Sequence, residues 1–120
     1  MQEKISNPLF FLYGPTHAEE VGRGLLSGIV LAGGVGKEKL KSEFESDMLK
    51  VELSDDIIGV QVAAALKNIV ALAVGMVDGL GLGDNATAYI MTKGYSEIRQ
   101  IGLAWGGKDE TFHGLAGIGD

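Results

Sequence analysis

The rhythm of apolar and polar positions changes near Ser54. Before it, short apolar runs alternate with charged segments. Leu9–Tyr13 (LFFLY) is stopped by Gly14-Pro15 and predicts a buried strand. Thr16 and Glu19 have the spacing of a capping box, so THAEEVGRG predicts a short helix with Thr16 as its N-cap. Gly28–Gly33 (GIVLAG) predicts a second buried strand. Lys37–Ser46 predicts an amphipathic helix with Leu40 and Phe44 one turn apart, and Met48–Leu53 a third strand. Strand and helix in alternation make an α/β piece.

After Ser54 the pattern is helical throughout. Asp55 and Asp56 offer a cap and an acidic first turn to a helix from about Ile57 to about Asp78, which GLGLG ends. A second helix is expected from near Asp84 to Gly106-Gly107. KDETFHGLAGIGD then reads as a short helix or turn and a glycine-rich tail. Two long apolar helices cannot hide all their surface against each other, so more chain or a second subunit is expected over them. Asp120 falls in a glycine-rich loop with no closing element, and the expectation is a fragment of a larger protein. Residues 1–54 and 55–120 form the expected division.

Composition narrows the classes. Of 120 residues, 46% are apolar and 22% charged, a globular balance. A net charge of −6 without a basic stripe argues against a nucleic-acid partner, yet a local lysine can still hold a small anion. There is no cysteine, which excludes disulfides, thiolate chemistry and cysteine-bound zinc. The opening MQEKISNPLF has no apolar run of signal-peptide length. Residues 57–77 are long enough to cross a bilayer, but Lys67 and Asn68 would sit near its centre. A central lysine costs about 2.5–3.5 kcal/mol on insertion scales, and the run's alanines and glycines offset little, so no membrane insertion is expected.

Lys67 is the only charge between Asp56 and Asp78. Its helical neighbours are Val60, Ala63, Ala64, Val70, Ala71 and Val74. The alanines leave room for a small ligand, and partial desolvation would make the lysine a usable acid/base. Equally, the stem can pack while the ammonium reaches the helix surface or a carboxylate. Asn68 and Gln61, seven residues apart, could orient a substrate hydroxyl or bond a neighbouring helix.

Other motifs exclude more than they assign. GGVGKE has Leu31 where a Walker loop needs its first glycine, and Glu38 where it needs Ser or Thr. GLGLGD lacks the GxGxxG spacing and follows a helix. GPTHA places a turn before a helix N-terminus, a generic anion-friendly corner. His17 and His113 stand alone, without ligand spacing. Asp84 and Asp109, like the Asp55-Asp56 pair, sit where helices begin and read as caps. No Gly-x-Ser-x-Gly element is present.

Three blocks, GPTHAEEV, SDDIIGVQVAAALKNIVALAVGMVDGLGLGDNATA and TFHGLAGIGD, together resemble the NAD(P)-dependent glycerol-3-phosphate dehydrogenases over nearly the whole chain, from about Leu12 to Asp120. The resemblance implies a fragment of a two-domain dehydrogenase. Residues 1–54 would be the end of a Rossmann-like dinucleotide-binding domain, and 55–120 the start of an all-α substrate domain. It implies reversible hydride transfer between NAD or NADP and the pair sn-glycerol 3-phosphate and dihydroxyacetone phosphate, feeding glycerophospholipid synthesis. It further implies a cytoplasmic homodimer. By match, Lys67 transfers the proton, Gly14 and Thr16 line the substrate, Ala18 approaches the cofactor, Asp120 contacts substrate and Asn68 lies beside the lysine.

The chain departs from that pattern in places. It carries no GxGxxG, no second substrate lysine before the GPT turn and no Ser-Arg-Asn phosphate segment. His17 stands where Phe is usual and Thr87 where Arg or Lys is usual. The 120 residues alone are expected not to turn over. Two other readings compete: a β-hydroxyacid or 6-phosphogluconate-type dehydrogenase, and a non-catalytic helical fragment that self-associates.

Overall fold

The computed structural model describes residues 7–119. Three strands form one sheet in the order β1 (Phe10–Tyr13), β2 (Ser27–Gly33), β3 (Leu49–Ser54). β1 runs antiparallel to β2, with Phe10 opposite Gly33 and Tyr13 opposite Val30. β2 and β3 are parallel, with Ser27 opposite Leu49 and Ala32 opposite Ser54. The crossover between them is α2 (Lys37–Phe44), as a parallel pair requires. α1 (Ala18–Gly22) is little more than one turn. Two long helices follow, α3 (Ile57–Gly79) and α4 (Asp84–Ala104), and then the short α5 (Asp109–His113).

The α/β piece followed by helices is therefore present, and the predicted elements stand within a few residues of their bounds. The cap of α1 differs. His17, not Thr16, occupies the N-cap in an extended conformation, with no side-chain cap bond. The Thr16 N–H is turned back to the Gly14 carbonyl at 2.8 Å, closing a tight three-residue turn. That turn takes Thr16 out of capping position despite the sequence pattern.

β2 is central and fully apolar over Ile29–Ala32, and it is buried on both faces. One face meets α2 through Ile29, Leu31 and Val51, with Leu40 packed alongside. The other meets α3 and the chain after α5: Val30, Ala32, Val60 and Ala116 form one cluster, flanked by Phe11, Tyr13, Ile57 and Leu115. A third cluster, Val62, Ala63 and Phe112, ties α3 to α4 and α5 with Leu66, Tyr95 and Ile98 around it. At the crossing of α4 and α5, a Cβ on Gly102 would lie 2.0 Å from the Phe112 ring, so the fully buried ring rests directly on helix backbone. α3 has the length and composition of a membrane span, with Lys67 midway along it. Its first turns are buried at Gly59, Val60, Val62 and Ala63.

Asp56 makes the junction between sheet and helices. It caps α3 by accepting from the Gly59 N–H at 2.8 Å. The same carboxylate accepts from the Lys108 N–H at 2.7 Å and the Thr111 hydroxyl at 2.6 Å. Beside it, the buried Lys37 ammonium is paired with Asp55. Asp56 thus does more than cap, since it also holds α5, while Asp55 does not cap and instead holds α2.

Candidate functional site

Lys67 is the centre of the candidate site. Asp56 fixes where α3 starts, and three helical turns then carry position 67 back along the sheet, toward the end of β1. The half-buried Lys67 ammonium lies over the Tyr13 ring, 4.8 Å from its centroid. Tyr13 is the last residue of β1 and directly precedes the Gly14-Pro15-Thr16 turn. The fold therefore joins two of the predicted blocks, the strand-end turn and the lysine helix, across 54 positions of sequence (67 − 13).

Gly14 is held closely. A Cβ there would sit 2.7 Å from the Gly28 carbonyl oxygen and 2.9 Å from the Ile29 Cα, so no other residue fits without moving the sheet. Thr16 is exposed, and its hydroxyl lies 3.5 Å from the Gly14 carbonyl, leaving it available to a ligand. Ala18, the first residue of α1, is exposed on the same side of the turn in sequence. Asn68 is exposed next to Lys67.

The third block arrives from α5. Leu115 touches Gly28, where a Cβ would meet its Cδ1 at 3.0 Å, and Ala116 is buried against Val30, Ala32 and Val60. Leu115 and Ala116 thus pack on the face of central β2 that also meets α3. Asp120 lies outside the described residues. Tyr95 braces this segment: its hydroxyl donates to the Phe112 carbonyl at 2.9 Å and lies 2.9 Å from His113 Nδ1. Burial pushes the Tyr95 phenol above its ordinary value, with Arg99 pulling it down and Asp109 adding to the rise. Arg99 in turn donates to Asp109 at 2.5 Å.

The alanine shelf is narrower than the sequence suggests. Ala63 is consumed in packing against Phe112, so Ala64 and Ala71 are the small neighbours left around Lys67. Gln61 faces elsewhere, into an apolar hollow of about 610 Å³ with Ile58, Ala65, Leu66 and Trp105. A polar cleft of about 310 Å³ lies between β3 and α5, lined by Ser54, Asp55, Lys108 and Thr111 among others. Lys67 lines neither hollow; it is half-buried on α3, beside the Tyr13 ring. Thr87 lies in the first turn of α4, its hydroxyl 3.4 Å from the Gly83 carbonyl. Among the described residues no group of three or more His, Cys, Asp or Glu could hold a metal ion.

Sequence reasoning missed Tyr13 and Tyr95. Tyr13 had one usable signal, its place at a strand end against a Gly-Pro turn. Tyr95 had none, because its partners come from a later helix.

Chemically, the arrangement offers a cation on a partly apolar face beside a turn with an exposed hydroxyl and small residues. That suits protonation of an oxygen on a small substrate.

The chain is similar to known proteins over most of its length. Residues 56–120 match the family model described as NAD-dependent glycerol-3-phosphate dehydrogenase C-terminus. The chain is 53% identical over 111 residues to a glycerol-3-phosphate dehydrogenase [NAD(P)+] of Moorella thermoacetica, covering 91% of this chain and 33% of that protein. It is 44% identical over 122 residues to the Clostridium botulinum protein of the same name, covering 100% and 37%. The crystal structure of glycerol-3-phosphate dehydrogenase from Coxiella burnetii superposes with a TM-score of 0.91 at 38% identity, covering 94% of this chain and 35% of that one. The chain spans about a third of the length of the curated relatives it matches.

Proposed function

Because the chain belongs to the NAD-dependent glycerol-3-phosphate dehydrogenase family through its residues 56–120, we propose that it is the junction segment of such an enzyme, with Lys67 as proton donor. In this reading residues 1–54 end the dinucleotide-binding domain and 55–120 begin the substrate domain. The enzyme reduces dihydroxyacetone phosphate to sn-glycerol 3-phosphate in the cytoplasm, as a homodimer without membrane insertion, and the product serves glycerophospholipid synthesis. The observation that carries it is the half-buried Lys67 ammonium beside the strand end that leads into Gly14 and Thr16.

The residues act in a defined division of labour. When bound, the reduced cofactor, NADH or NADPH, would supply the hydride, and the exposed Ala18 at the start of α1 would lie against it. Thr16 and Asn68 offer hydrogen bonds that orient the substrate, as does Asp120. As the carbonyl carbon gains a hydride, its oxygen gains a proton from the Lys67 ammonium. Lysine is left as a neutral amine and recovers its proton from solvent. Before transfer its charge stabilises the developing alkoxide.

Lys67→Ala in the full-length enzyme tests the assignment. General acid catalysis is typically worth about 10²–10⁴-fold, so kcat should fall by that order with the fold retained. A fall of less than about tenfold would remove Lys67 from the role.

A further inference from the structure

We propose that Tyr95 is a positioning residue for the substrate: its hydroxyl clamps the Phe112 carbonyl, on which the loop leading to Asp120 is wound. This rests on the reading of Asp120 as a substrate contact. α5 has only five residues, too few to hold a helix in water by itself. Its place, and that of the chain after it, is therefore set by contacts with other elements. Asp56 holds its start through the Lys108 N–H and the Thr111 hydroxyl, and Arg99 of α4 donates to Asp109. Tyr95, one helical turn earlier on α4, reaches the last turn of α5.

The Phe112 carbonyl is the pivot of the loop. It accepts from the Tyr95 hydroxyl at 2.9 Å and from the Ile118 N–H at 3.0 Å. Between those points the chain turns tightly, with the Gly117 and Gly119 N–H groups both donating to the Gly114 carbonyl at 3.1 Å. A Cβ on Gly117 would collide with the Phe112 backbone, so the loop lies directly against its anchor. In sequence, Asp120 comes two residues after Ile118. A carbonyl can only accept, so the phenol hydrogen points to it, and the phenol oxygen is left to accept from His113 Nδ1 at 2.9 Å. The half-buried Tyr95 ring packs with Leu66 and Ile98 against Val62, Ala63 and Phe112. The hydroxyl is thus aimed by packing, and a shift of the Phe112 carbonyl carries Ile118 and the chain after it along.

The test is steady-state kinetics of the full-length enzyme in Tyr95→Phe, Asp120→Asn and the double variant. Tyr95→Phe keeps the ring and its packing and removes the hydroxyl alone. A hydrogen bond of ordinary net strength corresponds to about fivefold in an equilibrium. The KM for dihydroxyacetone phosphate should therefore rise about fivefold in Tyr95→Phe, with the KM for the reduced cofactor unmoved. A merely structural role moves neither, since a smaller folded fraction lowers the apparent kcat and leaves both KM values in place. Added to Asp120→Asn, Tyr95→Phe should raise the substrate KM by less than about twofold, because both act through one contact. An unmoved substrate KM in Tyr95→Phe, or a full fivefold rise on top of Asp120→Asn, overturns the proposal while leaving Asp120 in its role. A parental substrate KM in Asp120→Asn alone removes Asp120 from the substrate and overturns the proposal at that earlier step.

Discussion

The Asp56 carboxylate accepts a hydrogen bond from the Thr111 hydroxyl at 2.6 Å, across 55 positions of sequence. The same group caps α3 and receives the Lys108 N–H. One buried side chain thereby sets the start of the lysine helix against the start of α5.

Asp56→Ala should cost about 3 kcal/mol, because three donors lose a buried charged acceptor at once. Asp56→Asn, which keeps one oxygen, should cost less. Urea unfolding checks both, and a midpoint unchanged in Asp56→Ala would show that the three bonds add nothing net. The pH dependence follows from the same contacts. Burial alone would raise the Asp56 carboxyl, but the bonds from Thr111, Lys108 and Gly59 outweigh it and hold it below 3.8. A carboxyl lowered on folding stabilises the fold fully above its unfolded value, and that contribution is lost as pH falls through the folded one. Stability of the parent should therefore drop more steeply below about pH 4 than that of Asp56→Ala.

Gly14→Ala should destabilise by about 1–3 kcal/mol, since the new methyl meets backbone atoms of Gly28 and Ile29 that cannot swing aside. Gly22 is the control, because a Cβ there meets nothing within 4 Å. Gly22→Ala at the end of α1 should leave thermal stability unchanged or slightly higher. Equal melting temperatures for the two variants would contradict the close approach of the turn to β2.

Tyr95→Phe should cost about 1 kcal/mol, at the mild end for a buried bond, because the Phe112 carbonyl still accepts from the Ile118 N–H at 3.0 Å. Phe112→Ala should cost about 3–5 kcal/mol, since the ring is fully buried at the crossing with Gly102. Chemical denaturation of each variant measures the order, and a Tyr95→Phe loss as large as that of Phe112→Ala would reverse it.

Much of this fold was legible in the chain. Periodicity marked all three strands and the two long helices, because their apolar residues repeat at the spacing each element needs. Asp56 as a cap was legible for the same local reason. What it reaches was not: Lys108 and Thr111 meet it only after α3 and α4 have folded back. Thr16 shows the opposite failure, in which a correct local motif yields to a tighter turn at Gly14. In the site, Lys67 stood out as a lone charge on an apolar helix, and Gly14 as a turn residue. The meeting of Lys67 with Tyr13 had no sequence signal, since it depends on β1 running opposite to β2. The filling of the space around Ala63 by Phe112 was equally hidden.

The helix between Asp56 and Lys67 also acts as a ruler. Its origin is pinned by the cap and its far end must arrive at one aromatic ring. Each residue of helix adds about 1.5 Å and about 100° of rotation. Removing a single alanine from that interval would keep the cap, the charge and the hydrophobicity, yet turn the ammonium away from β1. At this site the spacing of the residues is constrained as strictly as their identity.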